Sequence, residues 1–192
     1  MKKIVFILVL FSNFFTNSNA EEIKRIIVGN IDAKISIIAF ESMTCSHCAD
    51  FHKNVFPKLK EEYLDTGLAK IEFRHFPLDI AALNASKISQ CKNDGGSEIL
   101  ERLYANQQKW VKGSSIQEAN ANLEKFLKNE GFKINFDSCL KNKEIEDFVL
   151  NDRIDGAKNF KVNATPTIII NNEKFEKTLN YKNLKKALEK ML

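Results

Sequence analysis

Two closely spaced cysteines and a nearby histidine are the residues of this sequence best suited to chemistry. Residues 43–52 read MTCSHCADFH, so two residues separate Cys45 from Cys48, and His52 follows four residues later. This spacing lets two sulfurs meet in a small ring. Thiol–disulfide exchange needs such a pair, with one exposed sulfur of low pKa. The alternatives are a metal site, a haem attachment point and a purely structural disulfide.

The segments around the pair predict a strand before it and a helix after it. Residues 34–40 (KISIIAF) form an apolar, β-branched run that is typical of a buried strand. From Ser46 onward, apolar residues recur at helical spacing and form one stripe: Cys48, Phe51, Val55, Leu59 and Tyr63. Pro57 lies inside this stripe and is expected to kink the helix. Cys45 is therefore expected at a helix N-terminus, with Cys48 one turn further in.

That position favours redox chemistry at Cys45. The free N–H groups and the dipole of a helix N-terminus stabilise a thiolate, and His47 can add positive charge or a hydrogen bond. The more enclosed Cys48 is suited to resolve a mixed disulfide.

The competing readings have less support. Haem attachment requires a histidine directly after the second cysteine, where this chain has Ala49. Zinc needs about four ligands; His52 offers a third, but no second Cys-x-x-Cys or His-x-x-x-His is present. His52 is expected to be a partly buried helix residue. A structural disulfide at this spacing is unusual but stays open.

The rest of the chain predicts a mixed sheet with helices on it. Residues 67–77 indicate a turn and a second strand, and 79–160 contain helical segments without a convincing strand. Residues 167–170 return to a strand, and 174–178 can pair back after a turn at Asn171–Asn172. Residues 181–192 close the chain as an amphipathic helix. Thr165–Pro166 directly precedes the buried strand, and the sequence leaves its isomer open.

The first twenty residues have the pattern of a signal peptide for export. Lys2 and Lys3 precede a short apolar run and a small-residue exit, which predicts a signal peptide over residues 1–20 and cleavage after Ala20. The apolar run is far shorter than the ~20 residues of a membrane-spanning helix. Losing both lysines lowers the formal net charge from +4 to +2, too little to indicate a nucleic-acid partner.

Export also bears on the two remaining cysteines, Cys91 and Cys139. Both lie in the predicted helical segments, 48 residues apart. In an oxidising compartment a structural disulfide between them is favoured over two buried thiols, and closing this loop would stabilise by about 4 kcal/mol.

The stretches ESMTCSHCADFHKNVFPKLKEEYLDTGLAKIEFRHFPLD and NATPTIIINN, with helices between them, resemble the thioredoxin superfamily. Within it they are most similar to the exported DsbA-type thiol:disulfide oxidoreductases. The resemblance implies an α/β thioredoxin fold, a mixed central sheet flanked by helices with an inserted all-helical domain. Residues 21–78 and 161–192 would form the thioredoxin-like domain, and 79–160 the insertion.

The same resemblance implies a role for each site residue. Cys45 would be the nucleophile, Cys48 the resolving cysteine, and His47 the residue that stabilises the Cys45 thiolate. Thr165–Pro166 would be a cis-proline turn packed against the disulfide, with the Thr165 backbone pairing to an extended substrate. Some relatives also carry a second bridge like Cys91–Cys139.

The implied function is a periplasmic oxidase that introduces disulfides into exported proteins. Its partners would be unfolded or reduced substrates and a DsbB-like, quinone-linked membrane oxidase. We expect a monomer that binds no nucleic acid or metal and uses no cofactor beyond its redox-active disulfide. Ser46 and Thr165 depart from the best-known oxidases at positions that tune the potential. An isomerase or reductase on the same fold is the alternative, and a non-catalytic metal-binding or chaperone module is a third hypothesis.

Three further residues lie on or near these elements. Glu41 is either a buried proton acceptor for Cys48 or a solvent-facing strand end, and the sequence leaves both open. His75 and Trp110 are predicted to be packing residues.

Overall fold

A computed structural model describes residues 22–192, so the predicted signal peptide over residues 1–20 lies outside the described residues. Within the described part, five strands form one mixed sheet in the order β1-β3-β2-β4-β5. The strands are β1 (Ile26–Gly29), β2 (Ile35–Glu41), β3 (Ala69–His75), β4 (Thr167–Ile170) and β5 (Glu173–Lys174). This is the mixed sheet that the apolar runs predicted.

The centre of the sheet is the parallel pair β2 and β3, with Ile37 opposite Ile71. On the other side of β2, strand β4 runs antiparallel, with Ile37 opposite Ile170. β2 is buried along nearly all of its length, as expected for an apolar, β-branched run. The carboxyl end of β2 therefore starts the active-site segment from a fixed point in the core.

The edge strand β1 was not predicted from the sequence. It is four residues long and pairs antiparallel with β3, placing Ile26 opposite Phe73. Gly29 has φ +100°, and a Cβ there would lie 2.4 Å from the carbonyl oxygen of Ala69. A run this short gives almost no periodic signal, so the strand depends on its partner rather than on its own sequence.

The hairpin between β4 and β5 confirms the predicted turn. Asn171 and Asn172 have φ values of 47° and 70°, the left-handed region that asparagine tolerates in tight hairpin turns. The returning strand is shorter than the predicted 174–178. Only Glu173 and Lys174 form it, and one further bond joins the Phe175 N–H to the Ile168 carbonyl at 2.9 Å.

The helix after β2 is divided where the sequence predicted one kinked helix. It comprises α1 (Ser46–Asn54), α2 (Phe56–Leu59) and a π-helical turn (Lys60–Leu64). Pro57 lies in the first turn of α2 and has no N–H to continue the helical hydrogen bonds, so the helix is interrupted at Val55. All five residues of the predicted stripe are buried.

Between β3 and β4 the described chain forms helices only. They are α3 (Ile80–Gln90), α4 (Glu98–Ala105), α5 (Gln107–Trp110), α6 (Ile116–Asn129), α7 (Phe136–Lys141) and α8 (Lys143–Asn159). After the sheet follow α9 (Tyr181–Leu188) and a short 3₁₀ turn, Glu189–Met191. None of the helices described in residues 22–192 has the length and apolar character needed to cross a membrane.

The helical segment shares one core with the sheet. The largest cluster of buried residues includes Ile37 and Phe73 from the sheet together with Leu103 and Trp110 from the helices. Trp110 is fully enclosed and donates its indole N–H to the Leu103 carbonyl, in agreement with its predicted packing role. This shared core holds α4 and α5 against the active-site segment.

A disulfide joins two of these helical elements. Cys91 caps the C-terminus of α3 and is bonded to Cys139 in α7, with their Cα atoms 5.6 Å apart. Lys87 lies close by, buried, with its ammonium group 2.5 Å from the Leu140 carbonyl and 2.7 Å from the Glu146 carboxylate. The bridge and this ion pair tie α3 to α7 and α8.

Candidate active site

The active-site segment is the short connection from β2 to α1. Cys45 is the N-cap of α1, with extended backbone and no side-chain cap bond of its own. Its N–H donates to the Ser42 carbonyl at 3.0 Å, which closes the turn. Cys45 is partly exposed, whereas Cys48, one turn into α1, is completely buried. The predicted arrangement of an accessible and an enclosed sulfur is therefore present.

The two thiols have opposite pKa shifts. The pKa of Cys45 is lowered to about 5, mainly by a hydrogen bond with the Cys48 thiol, despite partial burial that raises it. Contact with Thr165 and the backbone N–H groups of Cys48 and His47 lower it further. The pKa of Cys48 is raised, first by burial, then by the hydrogen bond to Cys45 and the nearby charge of Glu41. At neutral pH the reduced pair is a Cys45 thiolate beside a Cys48 thiol.

The cis-proline turn lies directly against this pair. The Thr165–Pro166 bond is cis, the isomer that the sequence left open. The Cys45 sulfur lies 3.3 Å from the Thr165 carbonyl oxygen, although 120 residues separate them in the chain. Because β4 begins at Thr167, beside β2, the sheet itself brings the turn to the N-terminus of α1.

His47 is exposed, and the part of it that faces Cys45 is its backbone N–H. The predicted action of its imidazole on the thiolate stays a prediction. The side chain instead forms one wall of a groove of about 270 Å³ beside the cysteines. This groove is lined by His47, Asp50, Phe51, Thr165, Pro166, Thr178 and Leu179.

Beneath the cysteines lies a buried acid–base pair that sequence reasoning did not assemble. Glu41 ends β2, and its carboxylate oxygen Oε2 lies 2.8 Å from His52 Nε2. The two side chains are only 2% and 3% exposed, which excludes the solvent-facing alternative for Glu41. Tyr104 of α4 stacks on the His52 ring with centroids 4.1 Å apart. The available signal was an acid at the end of an otherwise apolar strand.

A second missed residue is Gln107 at the start of α5. Its side-chain amide donates to the Met43 carbonyl at 2.8 Å and to the Cys45 carbonyl at 2.9 Å. The helical segment thus holds the backbone of the active-site turn in place. No sequence pattern marks this residue, because α5 is a single turn whose orientation is set by packing.

The remaining candidates fall away from the reacting pair. Cys91 and Cys139 are bonded to each other, not to Cys45 or Cys48. His75 is buried and bonds to Gln90 at 3.1 Å, as expected for a packing residue. In the described range 22–192, no group of three or more histidine, cysteine or acidic side chains is arranged to hold a metal ion.

Comparison with known proteins defines the class. A family model described as thioredoxin matches residues 21–190, and the chain belongs to this thioredoxin family. Within it, the solved structure of α-DsbA1 from Wolbachia pipientis is similar at 29% identity with a TM-score of 0.77, covering 86% of this chain and 89% of that one. The fold is the thioredoxin fold, and the chain is DsbA-like.

Curated relatives agree with this assignment. A putative protein-disulfide oxidoreductase of Rickettsia bellii is 35% identical over 94 residues, 48% of this chain and 36% of that protein. Disulfide bond formation protein D of Bacillus subtilis is 27% identical over 177 residues, 86% of this chain and 76% of that protein. The chain spans 36% to 61% of the length of four rickettsial relatives that it matches.

Proposed function

We propose that this protein is a thiol:disulfide oxidoreductase that introduces disulfides into other proteins by exchange at Cys45 and Cys48. The observation that carries the proposal is the asymmetry of the pair. A partly exposed sulfur with a pKa of about 5 lies against a fully buried one whose pKa is raised. The names of the curated relatives, which include protein-disulfide oxidoreductases, support the same reaction.

The reaction starts from the oxidised pair. A substrate thiolate attacks the Cys45 sulfur, forms a mixed disulfide and breaks the Cys45–Cys48 bond. The departing Cys48 sulfur takes up a proton, because its buried site disfavours the thiolate. A second substrate thiolate then attacks the substrate sulfur, and Cys45 leaves as the stabilised thiolate. The substrate gains one disulfide and the enzyme holds one thiolate and one thiol.

We assign Glu41 as the group that exchanges a proton with Cys48. It is buried beside the pair, and its charge is among the causes that raise the pKa of Cys48. Burial in turn raises the pKa of Glu41, so the carboxyl group is able to carry a proton closer to neutral pH than a solvated glutamate. It would donate that proton as Cys48 leaves and accept it when the disulfide forms again.

The groove beside the cysteines offers a place for an extended peptide. Thr165 and Pro166 form one side of it and His47 another. A substrate strand would pair with the Thr165 backbone, which recognises main chain and so tolerates many sequences. His47 would contact the peptide or the Cys45 thiolate from the exposed side.

The direction of exchange separates two candidate functions. A pKa of about 5 lies between the values of about 7 for thioredoxin and about 3.5 for DsbA. Because this value lies midway, the oxidase is favoured on the names of the relatives, such as disulfide bond formation protein D, and an isomerase or reductase on the same fold is the second candidate. Reoxidation by a DsbB-like, quinone-linked membrane protein would complete the cycle of an oxidase.

The proposed function also implies a cellular compartment and an oligomeric state. We assign the protein to an oxidising compartment, the periplasm, where the Cys91–Cys139 disulfide would persist. There it would act as a monomer on unfolded or reduced exported proteins. Nucleic acid, a metal and a separate cofactor have no part in the proposed reaction.

The redox potential of the Cys45–Cys48 pair tests the proposal. The protein is equilibrated with glutathione buffers, and the oxidised fraction is read by mass spectrometry after alkylation. A potential of about −120 mV supports the oxidase, and one of about −270 mV supports the reductase. Failure to oxidise a reduced model protein, with a rate no faster than that of Cys45→Ala, would overturn the proposal.

A further inference from the structure

The Glu41–His52 pair is unusual because it is polar, buried and incompletely satisfied. Among the described residues, Glu41 Oε1 and His52 Nδ1 are both buried with no hydrogen bond of ordinary geometry, and the Tyr104 hydroxyl is a further group that interacts with the Glu41 carboxylate. Buried polar atoms usually have a partner, since an unmet hydrogen bond in the interior lowers the stability of the fold. Five such side-chain atoms occur in the described residues, and two of them belong to the groups that share the 2.8 Å contact. Such a cost at one place points to a function for the pair.

Packing alone does not account for a histidine at position 52. Its ring lies among aromatic side chains, with centroid distances of 5.5 Å to Phe51, 5.3 Å to Phe56, 5.2 Å to Phe73 and 4.1 Å to Tyr104. Phenylalanine would fill this site without burying an unpaired nitrogen. What phenylalanine lacks is a second nitrogen, and thus the ability to take a proton on one side and release it on the other.

The His52 ring has two surroundings. Its Nε2 faces the Glu41 carboxylate in the interior. His52 is also among the residues that line an outer groove of about 350 Å³ between α4 and the segment around Pro57, and its side chain is 3% exposed. The imidazole therefore stands between Glu41 and a surface groove.

The charged and titratable groups around the pair come from several elements. They are Cys45 and Cys48 at the start of α1, Tyr104, Glu98, Glu101 and Arg102 on α4, and Lys60 in the π-helical turn. The pKa of Tyr104 is raised by burial, so its hydroxyl stays neutral. The groove contains both acidic and basic groups, and these can exchange a proton with water.

We propose that His52 is a positioning residue that acts through Glu41. It passes protons between the Glu41 carboxyl group and the outer groove. The inference rests on the proposed thiol–disulfide exchange and adds a residue to it. When Cys48 loses its proton to Glu41, His52 accepts that proton at Nε2 and releases the proton on Nδ1 to a water molecule that enters from the groove, because no described protein group is hydrogen-bonded to Nδ1. When Cys48 leaves as a thiolate, the transfer runs in reverse. No electron passes through the histidine.

Two steps with glutathione separate this role from the rest of the reaction. Reduced protein first reacts with oxidised glutathione: the Cys45 thiolate forms a mixed disulfide and one glutathione thiolate leaves. Cys48 then loses its proton, attacks the Cys45 sulfur and releases the second glutathione thiolate. Acid quenching and intact-protein mass spectrometry count the three protein species over time. A high concentration of oxidised glutathione makes the second step visible.

The main variant is His52→Phe, with His75→Phe as the matched control. His75 is also a buried histidine with one hydrogen bond, but its partner is Gln90 rather than Glu41. We expect His52→Phe to leave the first step unchanged and slow the second about tenfold near neutral pH, with an altered pH profile. His75→Phe should change neither step. Equal effects of the two substitutions on the second step, or no effect of His52→Phe, would overturn the proposal.

Coupling to Glu41 gives a second, independent readout. Because His52 acts through Glu41, the double variant Glu41→Gln/His52→Phe should close its disulfide no more slowly than Glu41→Gln alone. Multiplicative slowing would contradict this. Added imidazole should speed closure in His52→Ala, where a cavity opens beside the groove, but not in Glu41→Gln/His52→Ala. Imidazole that fails in the first variant, or works equally in both, counts against the relay.

These outcomes are distinct from failure of the proposed function. Both glutathione steps proceed whether the protein works as an oxidase, an isomerase or a reductase. If the unsubstituted protein does not form the mixed disulfide at all, the proposed exchange itself is wrong. If it does so and His52→Phe closes normally, only the role of His52 is wrong.

Discussion

At the scale of single residues, the site depends on two sulfurs that share one hydrogen bond. That bond is the largest cause lowering the pKa of Cys45 and the second largest raising the pKa of Cys48. A thiolate at Cys45 is thus stabilised by the neighbour that is itself kept protonated. Ionisation of one cysteine opposes ionisation of the other, so the pair carries one negative charge over a wide range of pH.

The titration of Cys45 gives the first prediction. In the reduced protein, the rate of alkylation by iodoacetamide should rise with a midpoint near pH 5, since the thiolate is the reacting form. Cys48→Ala removes the hydrogen bond that contributes most, and its midpoint should be higher. The urea-unfolded protein serves as the control and should titrate near about pH 8.5. A folded-state midpoint close to the unfolded one would contradict the assigned stabilisation.

Residue types and spacing were sufficient to find part of this site. Cys45 and Cys48 are marked by their separation and by the strand-to-helix change around them. Thr165–Pro166 is marked by a proline at the start of a buried strand. The Glu41–His52 contact was not predictable in the same way, because it depends on how α1 lies across the end of β2. A histidine on an apolar helix face looks the same in sequence whether or not an acid lies opposite.

At the scale of elements, the N-terminus of α1 concentrates the chemistry. The backbone N–H groups of His47 and Cys48 lower the pKa of Cys45, a use of free helix N–H groups that needs no charged side chain. The helix is held at this position from both sides: β2 enters it directly, and α5 reaches its first residues through Gln107. The reacting N-terminus of α1 is therefore positioned by β2 and α5, which take no part in the reaction themselves.

Gln107 carries the second prediction. Gln107→Ala leaves the Met43 and Cys45 carbonyls without the amide that now bonds to them. The free energy of unfolding should fall by about 1–3 kcal/mol, because two partly buried acceptors lose their donor. Gln108→Ala is the matched control, since Gln108 is exposed and adjacent. Its effect should stay within about 0.5 kcal/mol.

Urea denaturation of both variants measures this difference. If Gln107→Ala is as stable as Gln108→Ala, the two hydrogen bonds do not restrain the active-site turn. The short elements explain why such a link escaped the sequence. Both α5 and β1 are four residues long, and four residues carry no measurable period. Their positions come from partners that are distant in the chain.

At the scale of the whole molecule, the order of strands and helices was predictable and the boundaries were not. The runs at β2, β3 and β4 are long and apolar enough to indicate a mixed sheet, and the residues between β3 and β4 indicate helices. The first long helix was predicted to kink at Pro57. It is instead interrupted at Val55, because Pro57 lacks the N–H that would continue the helical hydrogen bonds. The contacts between distant elements, such as Arg74 with Asp155 at 2.6 Å, have no local signature.

The coupling of redox state to stability is the third prediction, and it belongs to the whole molecule. In the reduced protein the pKa of Cys45 is about 5 when folded, and a cysteine in an unfolded chain has a pKa of about 8.5. A lowered folded-state pKa contributes stability that is fully present above the unfolded value and is lost as pH falls toward the folded one. The oxidised protein has no such group. The reduced form should therefore gain stability relative to the oxidised form as pH rises from about 5 to about 8. The slope of the unfolding free energy against pH should correspond to a difference of at most about one bound proton between the unfolded and folded states.

Two other groups do not obscure this comparison. Burial lowers the pKa of His75, so protonation in the unfolded chain weakens the fold below about pH 6.5, but this occurs in both redox states and cancels in the difference. The raised pKa of Cys48 costs stability only above the unfolded thiol value, outside the range. Urea unfolding of both forms, followed by circular dichroism across this range, measures the difference directly. Parallel curves would contradict the assigned stabilisation of the Cys45 thiolate, and a stability of the reduced form that rises with pH relative to the oxidised form would confirm it.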